Sequence, residues 1–127
     1  MGRIGRVKRR EEMKNLLISI LEPLGFPIIQ QGSLNKDEGY PESFFTFWNN
    51  DTYGNSFYDN SEYKIVWDFD LNFYSSNTEL VNTKLLEAKE LLKAKGFTVN
   101  GHGYDVASDE KTHTGRGIHV LKIEKED

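Results

Sequence analysis

The sequence predicts an α+β domain: a two-layer sandwich, with a mainly antiparallel sheet and two helices on one face, in the order α-β-β-β-α-β-β. Three observations carry this. Over residues 63–74, Tyr63, Ile65, Trp67, Phe69, Leu71 and Phe73 alternate with Lys64, Val66, Asp68, Asp70, Asn72 and Tyr74, the period of two that puts one set on each side of a sheet. Residues 8–22 and 77–95 instead repeat apolar side chains at spacings of three and four, as one face of a helix requires. The length, 127 residues, is one domain's worth. Residues 1–127 are therefore read as a single domain, with 1–8 a basic N-terminal arm and 124–127 a short tail.

Taken in order, the first helix presents Met13, Leu16, Leu17, Ile20, Leu21 and Leu24, and is stopped by Pro23 and Gly25, with Pro27 beyond. Residues 26–31 form a short strand, and the Ser, Asn, Asp, Gly and Pro of 32–42 read as a loop. A second strand, dense in aromatics, covers 43–48. Four Asn, two Asp and a Gly make 49–61 a wide turn despite its three aromatics. The alternating strand 63–74 follows, twelve residues or roughly 40 Å at the usual rise per residue, longer than a typical strand. Ser76 and Glu79 suit a capping box ahead of the second helix, whose inner face is Leu80, Val81, Leu85, Ala88, Leu91 and Leu92 and whose stop is Gly96. A strand opens at 97–100, 101–117 is a polar, Gly-bearing connection, and 118–123 is the last strand. Helix, Gly, Phe, strand occurs twice, at Gly25-Phe26 and Gly96-Phe97, a faint internal echo.

Composition excludes several function classes. At 37% hydrophobic and 28% charged residues, with a run of only six at Leu16–Leu21 that is apolar except for Ser19, no segment reaches the roughly 20 apolar residues of a membrane-spanning helix. The basic start leads into acids rather than into an apolar stretch and cleavage site, so an intracellular protein is expected. The absence of cysteine removes disulfides, thiolate metal sites and cysteine nucleophiles. The net charge of −4 is unevenly spread: residues 1–14 carry six basic and two acidic side chains, 15–80 carry two and ten, and 81–127 carry eight of each. A duplex-binding domain spreads Lys and Arg over a whole face to engage phosphates, and here only the N-terminus is basic.

Catalytic patterns are missing too. No GxGxxG, P-loop, HExxH or GxSxG pattern is present. His102, Asp105, Asp109, Glu110 and His113 crowd 101–117 and bear metal-ligating groups, without the spacing of a named motif; a polar loop explains them more simply. Asp68 and Asp70 share a strand face about 7 Å apart, a separation found in glycosidase carboxylate pairs, and a solvated face explains that pair too. The expectation is no enzyme, no catalytic residue, no metal and no cofactor. Tyr53, Phe57 and Tyr58 stand among surface-type residues without a neighbouring Lys or Arg, so they either fold back onto the core or meet a protein partner.

The segments Tyr40-Pro41-Glu42-Ser43-Phe44, Phe47-Trp48-Asn49-Asn50-Asp51, Phe57-Tyr58-Asp59-Asn60, Trp67-Asp68-Phe69 with Phe73-Tyr74-Ser75, and Ser108-Asp109-Glu110 with His113-Thr114-Gly115-Arg116 resemble a group of small proteins. These are encoded among the tail genes of long-tailed phages and prophages of Gram-positive bacteria, and the resemblance covers about residues 13–123. Size and element order are similar to those of tail-terminator and tail-completion proteins. The resemblance implies a structural subunit acting at the head-tail junction by ring assembly, in the virion and, during assembly, in the host cytoplasm. Its implied partners are copies of itself, with a hexamer as one ring size, the tail tube protein and the head-tail connector proteins, without membrane or sequence-specific nucleic acid. On this reading Trp48, Asn49, Asp51, Tyr53, Phe57, Tyr58 and Asp59 form an interaction segment, Asp68 and Asp70 line the lumen, and His113 and Arg116 belong to a functional loop. The alternatives are a small metal-dependent hydrolase using 102–113 and a nucleic-acid-binding module using the basic arm.

Overall fold

The computed structural model describes residues 3–33, 40–50, 53–55, 63–108 and 110–126, and their side chains except at 3–7, 53–55, 63–64 and 125–126. The elements are α1 (Arg3–Leu21), a 3-10 turn (Glu22–Leu24), β1 (Ile28–Gln30), β2 (Ser43–Asn49), β3 (Tyr53–Asn55), β4 (Tyr63–Ser75), α2 (Thr78–Ala94), β5 (Thr98–Val106) and β6 (Thr114–Glu126). The sheet order is β1-β2-β4-β6-β5, with β3 also on β4. Among the described residues β1 and β2 pair in parallel, and the other strand pairings are antiparallel. This is the α+β sandwich expected from the sequence, with one strand more.

That extra strand lies inside the expected wide turn at 49–61. β4 is thirteen residues long, and β2 pairs only with its stretch from Phe69 to Ser75. After Asn49 the chain returns to the same edge, setting Tyr53 opposite Val66 and Asn55 opposite Lys64. Ladder bonds thereby satisfy backbone groups that turn chemistry alone would leave to water.

The connection expected at 101–117 is shorter, because both flanking strands run into it. Gly115 and Gly117 are strand residues rather than turn residues: a Cβ on Gly115 would meet Tyr74 Cε1 at 2.6 Å and Val106 Cγ2 at 2.7 Å. Glycine here marks a close approach of rings to backbone. At Gly101 and Gly103, both with positive φ, the β5–β6 register shifts between Asn100 and Tyr104, a bulge that turn-like composition disguises in the sequence.

Two helix boundaries also differ. α1 begins at Arg3, so the backbone of the expected basic arm is helical from that residue. The expected Ser76–Glu79 capping box is replaced by Asn77, whose Oδ1 accepts the Glu79 N–H at 3.1 Å. Since the first helical residue is Thr78, Asn77 holds the N-cap position, and Ser75 Oγ accepts the Asn77 N–H at 3.0 Å.

Both helices cover the same sheet face. Met13, Leu17, Ile20 and Leu21 of α1 and Val81, Leu85, Ala88 and Leu92 of α2 close over Phe45, Phe47, Trp67, Phe69, Leu71, Phe73, Ile118 and Val120. Phe45 and Phe73, opposite each other in the β2–β4 register, have ring centroids 4.6 Å apart. Each fully buried large apolar side chain contributes about 1.5–3 kcal/mol relative to exposure. The inward half of the β4 alternation, from Ile65 to Phe73, is buried as the sequence predicts. Among the described residues no helix is long and apolar enough to cross a membrane.

One polar network ties α1 to the end of the sheet. Trp67 Nε1 donates to Glu124 Oε1 at 2.8 Å, and Arg9 donates to the same carboxylate while also reaching Glu12 Oε2 at 2.7 Å. Hydrogen bonding from Arg9, aided by the Trp67 indole and opposed by partial burial, holds the Glu124 carboxyl below its ordinary 4.5. A carboxyl lowered in the fold contributes stability that is complete above its unfolded pKa and drains away as pH falls through the folded value. Thermal unfolding followed from about pH 7 to about pH 3 should therefore show the wild type losing stability on the acid side of the ordinary carboxylate range. Glu124→Gln should be less stable near neutrality and lose less of its stability over the same acid interval; an unchanged acid slope would refute the assignment.

Candidate functional site

With both helices on one face, the opposite sheet face carries the side chains left over from each strand alternation. β4 presents Asp68, Asp70, Asn72 and Tyr74 there. The registers set Trp48, Thr46 and Phe44 of β2 beside Asp70, Asn72 and Tyr74 on one side. On the other side they set Leu121, His119, Gly117 and Gly115 of β6, with Tyr104 of β5 next to Gly117.

The two expected lumen carboxylates have different surroundings. Asp68 is the more tightly held: His119 Nε2 hydrogen-bonds Asp68 Oδ1, and Asn50 Nδ2 donates to the same oxygen at 3.1 Å. Asn49 Nδ2 donates to the Asp68 carbonyl at 3.0 Å, which fixes the backbone as β2 ends. Asp70 is half-buried and, among the described residues, receives only the Tyr104 hydroxyl, at 3.4 Å. Burial foremost, and then the Asp70 charge, pushes the Tyr104 phenol above its ordinary value, so it stays protonated and donates. Around this pair Trp48 is 46% exposed, Tyr104 44% and Ile123 55%. The face is thus acidic at its centre and apolar at its borders.

Deeper on the same face lie Thr46 and Asn72, register partners that are both buried. Among the described residues, Thr46 Oγ1 and Asn72 Oδ1 are the buried side-chain atoms without a hydrogen-bond partner, a condition that costs about 1–3 kcal/mol each. Thr46 also lines a cavity of about 310 Å³ walled by Tyr40, Phe44, Tyr74 and Ser108. Phe44 stacks on Tyr74 with centroids 5.3 Å apart and meets Tyr40 edge-on at 5.6 Å. His113 joins this aromatic group, with Nε2 2.8 Å from the Pro41 carbonyl oxygen.

The metal-ligating residues of 102–113 are dispersed. Asp105 accepts from Arg116 Nη1 at 2.6 Å, His113 is held by Pro41 and Thr112, and His102 is exposed on the β5 bulge. Among the described residues no group of three His, Asp or Glu side chains could hold a metal ion. Arg116, expected in a loop with His113, sits instead in β6 opposite Phe73, on the helix-bearing face. Of the expected interaction segment, Trp48 and Asn49 lie where β2 ends beside Asp70 and Phe69, and Tyr53 is described in backbone only, in β3. Asp51, Phe57, Tyr58 and Asp59, like Asp109, lie outside the described residues.

Sequence reasoning singles out neither His119 nor Tyr104. His119 sits between Ile118 and Val120, an alternation from which its outward side could have been read. Its partner could not, because Asp68 is 51 positions away and is brought near only by the β4–β6 register. The chain matches no protein-family model and no curated protein.

Proposed function

We propose that this chain is a non-enzymatic structural subunit of a long-tailed phage, a tail-terminator or tail-completion protein that assembles as a ring at the head-tail junction. The observation that carries this reading is the bare sheet face, where exposed Trp48, Tyr104 and Ile123 surround Asp68 and Asp70 without a covering element from the described chain. Trp and Tyr are enriched at protein contact surfaces relative to the rest of a protein's surface, so exposed Trp48 and Tyr104 on one sheet face suit a contact with protein. The resemblance of the sequence segments supplies the setting. In this proposal the face is a seam between proteins rather than the lumen lining expected for its carboxylates: Asp68 already has His119 as a partner, and exposed aromatics suit burial against protein.

The test is a phage or prophage carrying this gene with Trp48→Ser and Tyr104→Ser combined. The purified variant should keep its circular dichroism, since both positions are exposed. The lysate should show separate heads and tails in electron micrographs, with infectivity reduced at least a hundredfold. Normal infectious particles from a verified double variant would overturn the proposal.

A further inference from the structure

The bare face has a charge that the described residues leave unmatched. Asp68 is served by His119, but among the described residues Asp70 has no cation within ion-pair distance and only the Tyr104 hydroxyl as hydrogen-bond donor. Trp48 stands directly opposite Asp70 across the β2–β4 ladder, and Tyr104 reaches it from β5. A carboxylate between an exposed indole and a phenol is a seat for a guanidinium, which stacks on the rings while its N–H groups meet the carboxylate oxygens.

The chain also carries a matching donor. Three arginine side chains are described: Arg9 is paired with Glu12 and Glu124, Arg116 with Asp105, and Arg10 is exposed with no ion pair. Arg10 lies on α1, in the helix layer, whereas Asp70 lies on the opposite face of the sheet. With the sheet between them, one molecule cannot join the two. A second copy can, and because the two patches differ the contact is head-to-tail, the kind that propagates and closes into a ring.

We propose that the bare face is the docking surface for a second copy of this chain, with Arg10 of the incoming copy seated against Asp70 between Trp48 and Tyr104. This deepens the ring reading above and rests on it for its setting, but the contact is testable on the purified protein. The occupant is another copy of this chain; a foreign basic segment would fail the test that follows.

The chain has no cysteine, so introduced ones report without background. Arg10→Cys and Asp70→Cys, both exposed or half-buried positions, are prepared separately, checked for native circular dichroism, mixed and mildly oxidised. The mixture should form the 10–70 disulfide, identified by peptide mass, at least tenfold faster than a mixture of Arg10→Cys with a control, Lys93→Cys, on exposed α2 surface. Capture at the control rate would overturn the proposal. A charge exchange adds a second readout: Asp70→Arg alone and Arg10→Asp alone should remain monomeric by native mass spectrometry at concentrations where the two mixed form alternating oligomers, and added salt should dissolve these. Single variants that assemble as well as the mixture would also overturn it. If crosslinking fails while the Trp48 and Tyr104 variant still blocks head-tail joining, the phage reading survives and the face meets a different protein; if crosslinking succeeds while infectivity is untouched, self-docking stands and the phage reading falls.

Discussion

Trp67→Ala is expected to lower unfolding free energy by about 3–5 kcal/mol, the range for truncating a large aromatic in a packed core. Trp67 is 1% exposed, on the β4 face closed over by both helices. Its removal opens a void between the layers and takes a donor from Glu124, a carboxylate that already receives Arg9. The loss should appear as a lower urea midpoint, and Trp67→Phe should retain more stability than Trp67→Ala while still lacking the indole N–H. A loss below about 1 kcal/mol for Trp67→Ala would mean that the strand does not face the helices as described.

Gly117→Val is expected to be the second most damaging change, at about 1–3 kcal/mol, because it overfills a space already occupied. A Cβ at this position would fall on Asn72 Oδ1 and lie 3.0 Å from Tyr104 Cε2. Accommodating it means moving Asn72 in the middle of β4 or lifting Tyr104 from β6, and the second would also remove the hydroxyl that reaches Asp70. The diagnostic measurement is a double-mutant cycle with Asn72→Ala: the pair should cost less than the sum of the single changes, since Asn72 is the group struck. Simple additivity would show that the clash is not where the β4–β6 register places it.

The residues that were legible from the sequence are those whose neighbours are near in sequence. Period two over Tyr63–Phe73 and the three-and-four spacing in both helices report how a backbone distributes side chains between inside and outside, so the buried set at Ile65, Trp67, Phe69, Leu71 and Phe73 follows from local pattern. Gly25 and Gly96, which follow the two helical segments, take the positive φ angles of 84° and 92° that favour glycine at such ends. Turn-like composition misled at Gly101, Gly103, Gly115 and Gly117. There glycine serves a bulge or admits a ring from another strand, and neither reason is visible in the local run of residues.

The sequence by itself therefore determined the class of fold, the inner faces of α1, α2 and β4, and the carboxylates on the outer face of β4. Tertiary structure alone decided the rest: β3 returning to the edge of β4, Asn77 in place of Ser76 at the helix cap, Arg116 turned toward the helix layer, and His119 and Tyr104 as the companions of Asp68 and Asp70. The physical reason is that periodicity is set by the geometry of one strand or helix. A partner is set by register between strands distant in the chain, and that register minimises the free energy of the whole sheet and core at once.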